Sequence, residues 1–332
     1  MHFARFLVTR LITYVLVIWI GITIVFFVPR FLPTNPVEAM LGRIMSQGAF
    51  MEPEQVQAMR ESLTQSFGLE GTLADQYFGF LRRIFVTGNF GPSLAMFPTP
   101  VNELIGRALP WTVGLLLTSV FISWLVGNTV GMLVGYKPNK PYSRVLETFA
   151  IFVYPIPYYI SALILIILFV HVNPIFPLSF NVRGTPWTAE WLSSAIYNSI
   201  LPAISIITVG FGWWILSMKA LSGGIAEEDY VYFAKLKGVG EAKIMRSYVL
   251  RNALLPQITF LALQIGTIFN GALIAEILFG YPGLGTLTQT AVLQADYNLL
   301  MGTISISIIA VATATLVVDI LYPLFDPRIQ HK

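Results

Sequence analysis

The chain has 332 residues, 55% of them hydrophobic and only 11% charged, with a formal net charge of +3. Soluble globular chains carry about 25% charged residues, so this composition excludes an ordinary water-soluble fold and indicates an integral membrane protein. Cysteine is absent, which excludes disulfides and thiolate metal sites, and His2, His171 and His331 are too scattered to hold a metal.

Six stretches, about 11–29, 111–136, 148–170, 195–218, 252–275 and 297–318, contain no Asp, Glu, Lys or Arg. Each meets the requirement of about 20 apolar residues for a helix that crosses a bilayer. The expected fold is therefore all-α, with six transmembrane helices. The first apolar run follows Arg5 and Arg10 as a signal peptide does, but it ends in Pro29-Arg30 with no small-x-small cleavage site. It is read as a retained helix, residues 1–29.

Residues 30–106 form the largest polar portion, a small helical cap on the far side from the N-terminus. Pro53 suits a first helical turn, flanked by Glu52 and Glu54, with Val56, Met59 and Leu63 at helical spacing. Asp75 opens a second predicted helix, Gln76 to Val86, before a turn at 88–92. The cap is either a connector that shields helix ends or a surface for a partner.

Residues 107–332 hold the remaining five predicted spans. Gly127, Gly131 and Gly135 repeat every fourth residue and fall on one helix face, where missing side chains let two backbones approach. Their partner is another helix of this chain or a second membrane subunit, unless they reflect only the tolerance of membrane helices for glycine. Pro155 and Pro157 interrupt the third span among Tyr154, Tyr158 and Tyr159. Trp187, Trp191, Trp213 and Trp214 are interfacial anchors or line a path for solute. Tyr158, Trp213, Gln264 and Asn270 are the candidate path residues.

No ionisable side chain falls at the middle of a span, since Glu276 and Asp319 lie at span ends. A carrier driven by protons or sodium needs such groups to hold its coupling ion, so uphill movement here draws on an energy source outside the chain. None of the seven Lys follows a Gly, which rules out the usual phosphate-binding loop for ATP. No nucleophile triad or carboxylate pair can be assembled, and no catalytic role is expected. The basic balance reflects orientation rather than nucleic acid: with both termini cytoplasmic, every Lys lies inside, and the seven outside cations are all Arg.

The segment 219–256 lies between two charge-free runs and carries Lys219, Lys235, Lys237, Lys243, Arg246 and Arg251. Glu227, Glu228 and Asp229 precede a helix at Tyr230 to Lys237, then Gly238 and Gly240 supply a turn into a second basic helix running to Pro256. Such a hairpin is a docking surface for a soluble partner, against the plainer reading of an amphipathic helix lying on anionic lipid.

Ala234, Gly238, Leu255 and Pro256 stand at the spacing of the cytoplasmic signature loop of ABC importer permeases. The run Arg251 to Pro256 is similar to the dipeptide, oligopeptide and nickel branch. So are Asn89 to Leu94, Pro100-Val101, Leu109-Pro110, Pro282 to Gly285 and Asp296-Tyr297. Tyr232 and Phe233 depart from the Glu and Ala that lead the signature. The resemblance implies the type I importer permease fold, paired with a second related permease, two ATPase subunits that hold ATP and Mg, and an extracytoplasmic solute-binding protein, in the plasma (inner) membrane of a prokaryote. This chain would bind no cofactor itself. Ala234, Lys237, Gly238, Val239, Gly240, Leu255 and Pro256 would form the ATPase-docking loop. Peptides, oligosaccharides and nickel are the cargoes that the branch carries. A secondary carrier or channel and a membrane-bound sensor or scaffold are the rival readings.

Overall fold

The computed structural model describes residues 2–31, 35–46, 52–267 and 273–325. Among them there are helices and no strand. The helices are α1 (His2–Phe27), α2 (Pro36–Ser46), α3 (Pro53–Ser66), α4 (Leu73–Arg82), α5 (Val101–Tyr136), α6 (Pro141–Val153) and α7 (Tyr158–Ile166). There follow α8 (Ala189–Ala226), α9 (Asp229–Leu236), the single turn α10 (Glu241–Lys243), α11 (Arg251–Thr267), α12 (Leu273–Leu278), α13 (Leu284–Leu293) and α14 (Tyr297–Phe325).

Four helices among the described residues are long and apolar enough to cross a membrane: Arg5–Phe31, Val101–Tyr136, Ala189–Ala226 and Tyr297–Ile320. The predicted third span is a pair, α6 and α7, bent by 100° at Tyr154 to Pro157. Pro155 and Pro157 explain the bend: each lacks the N–H that would continue the helical ladder, Tyr154 is still helical, and at Pro157 the backbone turns extended with ψ 139. The stretch 252–275 falls on α11, which has 17 residues, and then on positions outside the described residues. Among the described residues there are thus four spans, or five with the bent pair, and the sixth expected span, 252–275, lies partly outside them.

The chain divides into two compact units. One comprises residues 8–112 and 282–312, the other 1–7, 113–281 and 313–332.

In the first unit, apolar residues of α1, α4, α5 and α14 form a core around Ile22, Phe26, Phe80, Val101 and Leu299. A satellite core joins α2 to α3 through Val37, Leu41, Leu63 and Phe67. Helix α3 begins at Pro53 as predicted, and the Gln55 side chain accepts the Glu52 amide at 3.1 Å. Helix α4 starts earlier than predicted. Thr72 is its cap and Asp75, the third residue of the helix, its partner in a capping box, so Asp75 closes the helix start from inside rather than opening it. Past Arg82 the predicted helix widens into a π-helical turn, Arg83–Thr87. The loop 91–100 is tied down by the buried Asp296 carboxylate, which accepts from Ser93 Oγ at 2.5 Å, the Ala95 amide at 2.9 Å and the Leu299 amide at 3.0 Å. Asn298 Nδ2 donates to the Pro92 carbonyl at 3.0 Å. Two motifs 200 residues apart, Asn89 to Leu94 and Asp296-Tyr297, therefore meet at one carboxylate.

In the second unit, α5 lies against α8 along the glycine stripe. A Cβ at Gly131 would stand 2.5 Å from the Ile215 carbonyl oxygen and 2.8 Å from the Met218 Cβ; one at Gly127 would collide with the Trp214 side chain, and one at Gly135 with Ser222 and the Lys219 carbonyl. The partner of the stripe is thus a helix of the same chain. On another face of α8, a Cβ at Gly212 would stand 3.0 Å from the Ala150 carbonyl of α6. Beyond this contact Lys219 of α8 pairs with Glu147 of α6.

Three outcomes are expected in thermal unfolding of the detergent-solubilised chain. Gly131→Ala should destabilise by about 1–3 kcal/mol because backbone atoms, not a movable side chain, receive the new methyl. Gly106→Ala, whose Cβ meets nothing within 4 Å, should be neutral or stabilising by up to about 1 kcal/mol. Asp296→Asn should cost about 1.5–3 kcal/mol, the range for a hydrogen bond to a charged group; an unchanged melting point would remove Asp296 from its role as the tie.

Candidate functional site

The hairpin begins where α8 ends at Ala226. Helix α9 follows after two residues, with its last turn closed by a left-handed glycine. The Val239 amide donates to the Ala234 carbonyl at 3.1 Å and the Gly238 amide to the Lys235 carbonyl at 3.0 Å, the pairing of a Schellman ending. Gly238 has φ +73, and nothing lies within 4 Å of where its Cβ would be. The glycine is required by backbone conformation and not by crowding. Gly240 then caps α10, and residues Ile244–Leu250 widen into a π-helical stretch that runs into α11.

Three anchors hold the hairpin to its unit. Val231 and Ala234 of α9 bury against Ile244, Val249, Ala253, Met132 and Met218. Asn252 Nδ2 donates to the Tyr230 hydroxyl at 3.0 Å, closing α9 onto α11. Lys137, just past α5, donates to Glu241 Oε2 at 2.7 Å. That bond, with the Lys137 charge and then those of Lys140 and Lys235, holds the Glu241 carboxyl below its usual range, and Glu241 in turn raises Lys137.

With Val231 and Ala234 turned inward, the opposite face of α9 presents Tyr232, Phe233 and Leu236 at 60%, 61% and 64% exposure. Three large apolar side chains on eight residues, flanked by the exposed Lys235 and Lys237, form a patch of the kind that marks a protein interaction site. Of the predicted docking residues, Ala234 is buried and Val239 half-buried beside it. Lys237, Gly238 and Gly240 are exposed at the tip, while Leu255 is exposed and Pro256 half-buried inside α11. Tyr232 and Phe233 were noticed in the sequence as departures from a pattern. Their outward orientation follows from the burial of Val231 and Ala234, which lie three residues apart on one face of α9.

The predicted path residues are less tightly grouped. The Trp213 ring lies 4.6 Å from that of Trp214 and 5.5 Å from that of Phe260, which places it between α8 and α11. Gln264 is half-buried one turn beyond Phe260. Tyr158 is half-buried at the start of α7 and makes its ring contact with Tyr159. Asn270 lies outside the described residues. Trp187 is 89% exposed, and its ring lies 5.5 Å from that of Trp191 at the start of α8. Among the described residues no group of His, Asp and Glu is arranged to hold a metal.

Comparison with known proteins covers nearly the whole chain. Residues 127–331 match the family model described as binding-protein-dependent transport system inner membrane component, and residues 3–116 match the model of its N-terminal region. The chain is 32% identical over 325 residues to the oligopeptide transport system permease protein AppB of Bacillus subtilis, covering 95% of this chain and 96% of that protein. It is 29% identical to the di/tripeptide transport system permease protein DppB of Pseudomonas aeruginosa, covering 94% of this chain and 95% of that one. It is 28% identical to the oligopeptide transport system permease protein OppB of Haemophilus influenzae, covering 98% and 99%.

The ion pair at the hairpin base sets a pH dependence. The Glu241 carboxyl is depressed when folded, so its contribution is present above the ordinary value of 4.5 and is lost as pH falls through the lower folded value. Protection of residues 229–250 against hydrogen exchange, taken relative to the intrinsic rate at each pH, should therefore fall below pH 4.5 in the native chain, with a smaller loss in Glu241→Gln and a smaller difference in high salt. Coincident profiles for the two proteins would show that the pair does not hold the hairpin.

Proposed function

The chain belongs to the family of binding-protein-dependent transport system inner membrane components, and on that premise we propose that it is the permease subunit of an ATP-driven importer of oligopeptides or dipeptides. The observation that carries the reading is the near end-to-end similarity to peptide permeases, joined to a hairpin that carries an exposed aromatic face on an otherwise membrane-embedded chain. The permease does no chemistry of its own. ATP and Mg belong to two ATPase subunits, a second related permease completes the path, and a solute-binding protein delivers cargo. The distribution of Lys and Arg supports six spans in a prokaryotic inner membrane, with both termini and the hairpin cytoplasmic and residues 30–106 as an extracytoplasmic cap.

In this mechanism the ATPase pair closes on ATP and pushes the hairpin. Tyr232, Phe233 and Leu236 are the contact face, and the Gly238 turn is the tip that enters the ATPase surface. The push passes into the membrane along two covalent routes, back through α8 and forward through the π-helical stretch into α11. Burial of Val231 and Ala234 against Ile244 and Val249 makes the hairpin one body. A force on α9 is then delivered to both helices together.

The test uses the complex reconstituted with its second permease, ATPases and binding protein. Phe233→Asp should lower recovery of the ATPase with the permease by at least about tenfold, the effect of losing roughly 1.4 kcal/mol at a central aromatic contact. Gly238→Trp should leave assembly and ATP hydrolysis measurable while uptake of a radiolabelled tripeptide falls. Gly238→Asn, which tolerates the left-handed conformation, should retain uptake. Full uptake by the Trp variant, or unaltered ATPase recovery with Phe233→Asp, would overturn the hairpin's assigned role.

A further inference from the structure

Pro256 removes one rung from α11 just beyond the hairpin. A proline has no N–H and cannot donate to the Asn252 carbonyl one turn earlier, and a helix pushed at its end bends most readily at such a point. The next residue, Gln257, is polar and yet fully buried. It is held from two sides. Its Nε2 donates to Ser217 Oγ of α8 at 2.8 Å, and its backbone carbonyl accepts the Trp124 indole N–H of α5 at 3.2 Å. The same layer is closed by aromatic packing: the Trp213 ring of α8 lies 5.5 Å from that of Phe260, one turn further along α11, and a Cβ at Gly127 of α5 would collide with the Trp214 side chain.

As plain packing this layer is poor. Gln257 Oε1 and Trp214 Nε1 are buried and find no hydrogen-bond partner within the chain, and a buried polar group without a partner is destabilising. An apolar residue of similar size would fill the place of Gln257 without that penalty. What the amide supplies, and an apolar side chain does not, is a directed bond that fixes α11 in one register against α8. Ala253, one turn before Gln257, belongs to the core that joins α9 to Met132 of α5 and Met218 of α8. The three helices are therefore gripped on both sides of Pro256, by the hairpin core before it and by Gln257 after it.

Resting on the transport reading above, we infer that Gln257 is a positioning residue that pins α11 to α5 and α8 across the weak point at Pro256. With the pin in place, the hairpin and the three helices answer the ATPase stroke as one body. Without it, the displacement of the hairpin is taken up by bending of α11 at Pro256, and ATP is hydrolysed with less movement of solute.

The experiment uses the reconstituted complex, with tripeptide taken up per ATP hydrolysed as the readout and thermal unfolding of the detergent-solubilised chain as its companion. Gln257→Leu combined with Ser217→Ala removes the bond together with both of its polar ends. The Tm of this double variant should stay within about 2 °C of the native value or rise, while the ratio of uptake to hydrolysis falls about threefold or more, the change in an equilibrium that one interhelical hydrogen bond brings. A residue that served stability alone would move the two readouts together. Ser217→Ala by itself should lower the ratio in the same direction, and Thr259→Ala, which loses only a bond within α11, should leave it unchanged. Because the chain has no cysteine, spin labels on Leu133→Cys of α5 and Leu263→Cys of α11, both exposed, report the distance between these helices. That distance should be the same with and without ATP in the otherwise native chain and should change with ATP in the double variant. An unchanged ratio in the double variant, or an ATP-dependent distance in the otherwise native chain, overturns the pin. Should the double variant fail to fold, Ser217→Ala and the native distance decide. Failure of the transport reading is distinct, since the unaltered complex would then take up no tripeptide on ATP.

Discussion

The contact between α5 and α8 is the constraint from which the rest of the second unit follows. Lipid cannot drive two apolar helices together, since its tails are as apolar as their side chains, so association rests on close van der Waals packing. Gly127, Gly131 and Gly135 supply that by letting Trp214, Ile215, Met218 and Ser222 come up to the α5 backbone. Helix α8 is thereby fixed along one face, and Gly212 fixes it to α6 on another. Because α8 continues to Ala226 before α9 begins, the same packing sets where the hairpin emerges.

The hairpin reverses the arrangement of a solvated connector. Its small residues and its turn are used to bury Val231 and Ala234, and the bulkiest side chains of α9 are left outside. An exposed surface of Tyr, Phe and Leu is unfavourable for an isolated chain in water and makes sense when another protein covers it. The surrounding Lys residues keep this face soluble until then.

Much of this was legible in the sequence, for identifiable reasons. The four-residue glycine repeat, Pro53 at a helix start and Gly238 at a helix end are local signals, and each produced the element or contact that its chemistry implies. The glycine repeat left its partner open because a stripe of small residues says that a backbone approaches but not whose. The bent pair was half-visible: Pro155 and Pro157 announce a break, but not that the axis turns by 100°. The six-span count rested on composition, and its fifth run, 252–275, lies partly outside the described residues. The roles of Asp296 and of Lys137 with Glu241 arise from residues distant in sequence, and no spacing rule could have joined them. The outward face of α9 was readable in principle, had Val231 and Ala234 been taken as the buried pair.

The apex of the hairpin has no side chain at Gly238 and open space around it. Whatever meets that point meets peptide N–H and C=O groups, whose identity does not change from one sequence to another. Recognition at the apex would then be a matter of contour, tolerant of changes in the flanking residues as long as the left-handed corner is kept.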